Sequence, residues 1–276
     1  MVATQAVLGG AKLQMAEAVF ARGTDYFGPG QIKLVHGEFH VLDMPEALPD
    51  IPWSKEELRQ ARAAGAHLIL VVPNLTMKQL VEARKNLVTD GGKLLCQIDW
   101  YKNEPLYTTA TTAGEWHWRL VEDEVIPGSI GKNHLEQTAL IAERLKEIFA
   151  SRDLLQAYQR AIAEFEQKRE KIAKLVNINW QEAAKQLSEL QLNQLCRESP
   201  VLTLYRLITY EAVNHVRLLQ GVYHWTSSLS LRGYLVGVGG FGRGGAGVGG
   251  WFPGISSGAT GVALSRSSLA EVEGGW

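Results

Sequence analysis

The sequence predicts an α+β protein, and three observations carry that expectation. Helix-start signals with capping-box spacing recur at Ser54/Glu57 and Asn133/Glu136. Residues 152–176 repeat apolar side chains at helical intervals. The stretch Gly233–Arg266 instead sets isolated apolar anchors among 13 of the protein's 28 glycines, which reads as short β elements joined by glycine turns.

Taken in order, Ala11–Ala21 is a short helix stopped at Gly23, with Leu13, Met15, Val19 and Phe20 as its apolar side. Tyr26–Gly30 is a turn, and a strand is expected over 38–44. Ser54 opens a helix that Gly65 ends. The all-apolar run from His67 to Val72 fits a strand buried on both faces. Thr76–Asn86 returns to helix, Gly91-Gly92 turns, and Lys93–Asp99 is a further strand. This order of helix, strand, helix, strand describes a small α/β unit over residues 1–95. A segment with Trp100, Trp116 and Trp118 follows, with a strand at 117–121. Asn133 caps a helix reaching about Phe149. The 152–176 helix, a helix capped by Asn179 with Glu182, and a helix from Pro200 to Leu219 come next. Tyr223–Ser227 resumes strand character.

Composition narrows the function classes. The chain has 276 residues, of which 46% are hydrophobic and 21% charged, and a net charge of −1. That leaves no bulk positive field to draw it to nucleic acid or anionic lipid. Two cysteines, Cys96 and Cys196, make neither a disulfide framework nor a metal-ligand spacing, which fits a reducing, cytoplasmic setting. The N-terminus lacks the charged and apolar regions of a secretory signal. The longest apolar run, His67–Pro73, is too short to span a bilayer.

The motifs that suggest catalysis are poorly supported by their surroundings. Gly240-Phe-Gly242-Arg-Gly-Gly245 matches a dinucleotide fingerprint, but Ala-Gly-Val-Gly-Gly-Trp-Phe-Pro follows where a helix is required. Gly254-Ile-Ser256-Ser-Gly258 matches a nucleophile elbow, yet no histidine follows Ser256. Arg243 is a single copy of an arginine–glycine element. His36 and His40 are the only close histidine pair and lack a third ligand. Glu122-Asp123-Glu124 reads as a solvated strand end, and the 152–176 stripe as core packing or a partner-helix face. No cofactor, metal or catalytic residue is expected.

A fixed frame runs through the glycine-rich end: Gly239-Gly240-Phe241, then Gly245-Ala246-x-Val248-x-x-Trp251-x-Pro253-Gly254, then Gly261-Val262-Ala263-Leu264-Ser265-Arg266. This frame resembles the C-terminal variable region of diversity-generating retroelement target proteins. Tyr26-Phe27-Gly28-Pro29, Ile51-Pro52-Trp53-Ser54-Lys55-Glu56 and Ile126-Pro127-Gly128-Ser129 resemble further blocks of one bacterial group of such chains. The resemblance implies a C-type-lectin fold, related to the formylglycine-generating-enzyme type, used as a display scaffold. It also implies a reverse transcriptase that miscopies template adenines into the variable codons.

On that resemblance, residues 96–276 form a C-type-lectin-like domain. Helices 134–149 and 201–219 pack on a twisted antiparallel sheet, and a helical insert occupies about 150–200. Residues 1–95 are an accessory domain. The scaffold is Phe241, Val248, Trp251, Gly261 and Val262, and each large side chain buried there contributes roughly 1.5–3 kcal/mol. The exchangeable positions are Tyr234, Gly242, Arg243, Gly244, Gly247, Gly249, Gly250, Phe252, Ile255, Ser257, Gly258 and Ala259. The expected function is recognition of a protein or small molecule, without catalysis. The alternatives are a structural or regulatory protein that oligomerises through its helical middle, and an enzyme residing in the first 95 residues.

Overall fold

The computed structural model describes residues 2–37, 39, 44–45, 47–96, 98–150 and 153–268, with side chains from residue 10 onward. Residues 38 and 40–43 of the strand expected over 38–44 lie outside the described residues. The protein is α+β. Its elements are α1 (Val2–Val19), β1 (Tyr26–Phe27), α2 (Pro29–His36), α3 (Lys55–Ala63), β2 (Ala66–Val71), α4 (Met77–Arg84), β3 (Val88–Thr89) and β4 (Gly92–Lys93). After them come α5 (Leu106–Thr109), β5 (His117–Glu122), α6 (His134–Ile148), α7 (Gln156–Ile178), α8 (Trp180–Glu189), α9 (Gln191–Cys196) and α10 (Pro200–Asn214). The chain closes with β6 (Tyr223–Leu229), β7 (Leu235–Gly242), β8 (Gly245–Trp251), β9 (Thr260–Gly261) and β10 (Ser265–Ser267).

Local chemistry sets most helix starts. Ser54, Thr76 and Asn133 each accept from the amide three residues on, and Glu57, Gln79 and Glu136 reach back to the cap amide. Two differences from the sequence reading have simple causes. Pro29 starts α2 where a turn is expected, because a missing N–H costs nothing at the first helical position. Helix α10 stops at Asn214 rather than Leu219, since His215 adopts φ 55°. The strand expected over 93–99 is reduced to the β3–β4 hairpin and a bridge from Leu95 to Ala246.

Two four-stranded sheets organise the molecule, in the orders β1-β2-β5-β10 and β8-β7-β6-β9. Strand β2 is buried along its whole length and pairs antiparallel with β5, from Ala66↔Glu122 to Val71↔His117. The boundary expected near residue 95 therefore has a sheet running across it. β10 pairs with the other edge of β5, Ser265 opposite Val121. Helix α10 lies against both sheets, where Tyr205 Oη donates to Leu70 O at 2.8 Å and Leu204, Leu207 and Ile208 join the core containing Val236 and Val238. Helices α6–α9 gather around a second core, with Tyr158, Phe165, Leu187 and Leu192 at its centre.

Candidate functional site

Strands β6, β7 and β8 form an antiparallel meander in which side chains alternate between two faces. Val236, Val238, Phe241, Ala246 and Val248 point into the core, all but sealed from solvent. The opposite face carries Gly237 and Gly239 on β7, which face Gly249 and Gly247 on β8. Two rings lie on that glycine floor, Trp251 and Tyr223, with centroids 5.0 Å apart at 65°. A Cβ at Gly237 would stand 2.7 Å from the Trp251 ring, and one at Gly247 would stand 2.9 Å from Tyr223 Oη. A Cβ at Gly249 would overlap the Trp251 ring outright. The absence of side chains here lets the aromatic rings pack directly against the sheet backbone.

The tip of the β7–β8 hairpin is pinned from behind. The Arg217 guanidinium sits 4.5 Å from the centroid of the buried Phe241 ring and donates to Gly242 O and to Gly92 O. Gly240 (φ 60°) and Gly245 (φ 104°) take left-handed conformations around the bulge between the strands, where an L side chain would be strained. Arg243 and Gly244 project from the tip and are exposed.

At the other end of β8, six to seven residues and about 20 Å along the strand, the chain enters the loop Phe252–Ala259. Phe252, 40% exposed, meets Trp180 edge-on at 4.5 Å and Tyr234 at 5.1 Å. Trp180 and Tyr234 are 5.3 Å apart, so the three rings form one cluster. A Cβ at the exposed Gly250 would stand 3.2 Å from both Trp100 and Tyr234, and Trp100 Nε1 donates to Val248 O. The loop backbone is tied down. Pro253 O accepts from His134 N at 3.2 Å, Ser257 O from Gly131 N at 3.1 Å, and Ala259 O from Tyr223 N at 2.7 Å. Ser256, Gly258 and Ala259 are exposed on this loop, while Ile255 and Ser257 are half-buried. A groove of about 350 Å³ adjoins the cluster, with Gln181, Lys185, Leu231 and Arg232 among its lining residues. Burial pushes the Tyr223 hydroxyl and the Cys96 thiol upward, so both stay protonated at neutral pH.

The expected surface residues thus fall into separate groups. Tyr234, Gly250 and Phe252 come together, and Ile255, Ser257, Gly258 and Ala259 continue from them. Gly242, Arg243 and Gly244 sit at the far tip. Gly247 is buried and Gly249 half-buried beneath rings. Of the expected scaffold, Phe241, Val248, Gly261 and Val262 are buried and Trp251 is half-buried. Trp100 stands out in the sequence only as part of a tryptophan-rich segment and Trp180 not at all, because both reach the cluster from distant segments; Trp180 follows directly on the cap residue Asn179.

The other motifs resolve into structure. The dinucleotide-like match lies on the β7–β8 hairpin, and the Ser256 match on a loop that leads into β9. His36 is buried, with Nε2 bonded to Thr209 Oγ1 at 2.8 Å, and His40 lies outside the described residues. Glu122 pairs with Arg144 at 2.9 Å, while Asp123 bonds to His67 and Tyr210. Among the described residues, no group of three or more His, Cys, Asp or Glu is placed to hold a metal ion, and no helix is long and apolar enough to cross a membrane. A second cleft, of about 370 Å³, lies between α3, α6 and the first sheet, with Ala61, Leu120 and Leu264 on its walls and the Glu122–Arg144 pair at its rim.

No protein family, curated protein or solved structure matches the chain.

Proposed function

We propose that the protein recognises a protein or small-molecule ligand through the aromatic cluster and the loop Phe252–Ala259, as the display surface of a C-type-lectin-like, retroelement-diversified binding protein. One observation carries the reading. Trp180, Tyr234 and Phe252 meet with part of their surface open, beside a groove, on a loop whose backbone is fixed at Pro253, Ser257 and Ala259. Large, rigid aromatic side chains lose little entropy on binding and dominate the energetics of interfaces. Ser256, Gly258 and Ala259 are exposed, and nothing lies within 4 Å of a Cβ at Gly258, which leaves room for replacement there.

The arrangement of residues 117–267 is consistent with the lectin-like reading. The strands β5 and β10 near the two ends of that segment pair with one another, and they bracket helices and the β6–β7–β8 meander.

The test is a display library randomised at Phe252, Ile255, Ser257, Gly258 and Ala259. Most members are expected to unfold within a few degrees of the parent, because Phe252, Gly258 and Ala259 are exposed and Ile255 and Ser257 lie outside the buried cores, where substitutions usually change stability by about 0.5 kcal/mol or less. Selection against unrelated protein targets is expected to return specific binders. A library in which most members fail to fold, or one that folds but yields no binder, overturns the reading. A near-identical DNA repeat differing at adenines of these codons, beside a reverse-transcriptase gene, would support the diversified origin.

A further inference from the structure

Positive charges outnumber their counter-charges where β5, β6, β10 and α10 meet. Arg119, Arg197, Arg206 and Glu198 are all buried there. Arg206 Nε donates to both carboxylate oxygens of Glu198 at 3.0 Å. Arg119 Nε donates to Ser265 Oγ at 2.8 Å. Arg197 donates to Asn193 Oδ1 at 2.8 Å, Trp225 O at 3.0 Å and His134 O at 3.3 Å, all of them neutral. Three guanidinium charges therefore have one bonded carboxylate among them. Unmatched charge in a water-poor interior is among the costliest arrangements a fold can carry.

The atoms left without partners at this junction are donors. Arg206 Nη1, Arg206 Nη2 and Arg119 Nη2 are buried and bond to nothing in the protein. His224 Nε2 is in the same position. Its tautomer is fixed, because His224 Nδ1 accepts the backbone N–H of Ala263 at 3.1 Å, which leaves the ring proton on Nε2. Burial, reinforced by the fields of Arg206, Arg197 and Arg119, holds the His224 pKa well below its ordinary value, so the ring stays neutral with Nε2–H as a donor. A water molecule has two lone pairs and no charge. It can satisfy only part of this set and leaves the excess charge untouched.

We propose that this junction binds one small monovalent inorganic anion of the chloride class, held by Arg206, Arg119 and His224. The anion accepts from the four donors and neutralises one of the two unmatched positive charges. It ties β5, through Arg119, to α10, through Arg206, and to β6, through His224. Tyr223, the residue of β6 just before His224, carries the ring that lies on the glycine floor, so the ion stiffens the support of the candidate recognition face without being part of it.

The experiment follows thermal unfolding of the full chain as sodium chloride is titrated against sodium gluconate at matched ionic strength. A saturable rise in Tm with chloride alone is expected, roughly 5 °C once chloride exceeds its Kd about a hundredfold. Arg119→Met should lose most of that increment. If the variant does not fold, crystals of the unaltered chain grown in sodium bromide decide the matter, with one buried anomalous peak expected between Arg206, Arg119 and His224. Equal effects of the two salts, or a bromide map without that peak, overturn the proposal and assign the donors to buried water.

Discussion

Side-chain size at a single glycine separates the two kinds of position in the glycine-rich end. At Gly249 a methyl group would overlap the Trp251 ring, so the ring must leave the floor it lies on. At Gly258 nothing lies within 4 Å of the same methyl. Gly249→Ala is therefore expected to lose about 1–3 kcal/mol, the usual cost of overpacking, and Gly258→Ala about 0.5 kcal/mol or less. Urea unfolding of the two variants checks this, and equal losses would mean the ring is not seated on the glycines. His36 supplies a pH signature. Burial lowers its pKa to about 3, and it stacks on Tyr205 at 4.5 Å with Nε2 on Thr209. The unfolded chain takes up this proton near pH 6.5, while the folded chain refuses it until about pH 3. The neutral ring's contribution is thus complete above pH 6.5 and drains away as pH falls from 6.5 toward 3, by about 1.4 kcal/mol per pH unit. His36→Gln should flatten the slope of unfolding free energy against pH between 6 and 4 by that amount; an unchanged slope would show that His36 does not titrate between the two states.

Elements whose cause lies within a few residues were legible from the sequence. The boxes at Ser54 and Asn133 start α3 and α6 because both partners of each hydrogen bond lie three positions apart. The unbroken apolar run before Pro73 became β2, buried on both faces. Helix α2 was equally local, its signal being Pro29 at the first helical position, yet Tyr26–Gly30 reads first as a turn because two glycines flank the proline. What the sequence did not display is contact between distant segments. Trp180 on α8 meets Phe252 on the loop after β8, 72 positions away, and α8 thereby becomes a wall of the candidate site. Val176 at the end of α7 would likewise stand 2.6 Å from a Cβ at Gly254. Apolar periodicity marks Trp180 as one more helix residue, since no local pattern encodes which ring it will touch. The glycines mislead for the same reason. A glycine under a ring and a glycine in open loop are identical in sequence, and only cross-strand register, Gly237 opposite Gly249 with Trp251 folded over both, tells them apart.

The two halves of the chain are knitted together across residue 95. Strand β2 supplies six consecutive buried residues between β1 and β5, and β5 in turn holds β10 near the far end of the chain. A single core takes in Phe20 and Phe27 from the first segment, Trp118 from the middle, and Val238 and Val248 from the last. Tyr205 on α10 reaches Leu70 on β2, and Arg217 bonds to Gly92 on β4, so polar contacts cross the same line. A unit that kept its structure after the rest unfolded would have to expose the edge of β2 that pairs with β5 and the core side chains of β2 packed with α10. At about 25 cal/mol per Å² of apolar surface, that exposure is enough to couple the parts. Heat or urea is therefore expected to unfold the chain in one transition, with far-ultraviolet circular dichroism and tryptophan fluorescence tracing superimposable curves. Six of the eight tryptophans lie after residue 95 and fall in the described residues, at 100, 116, 118, 180, 225 and 251, while Trp53 reports on the first segment. Replacing Trp53 with phenylalanine leaves fluorescence reporting only on the later part. If that signal then separates from the circular dichroism by a distinct second midpoint, residues 1–95 are an independent folding unit and the shared core does not bind the two parts into one.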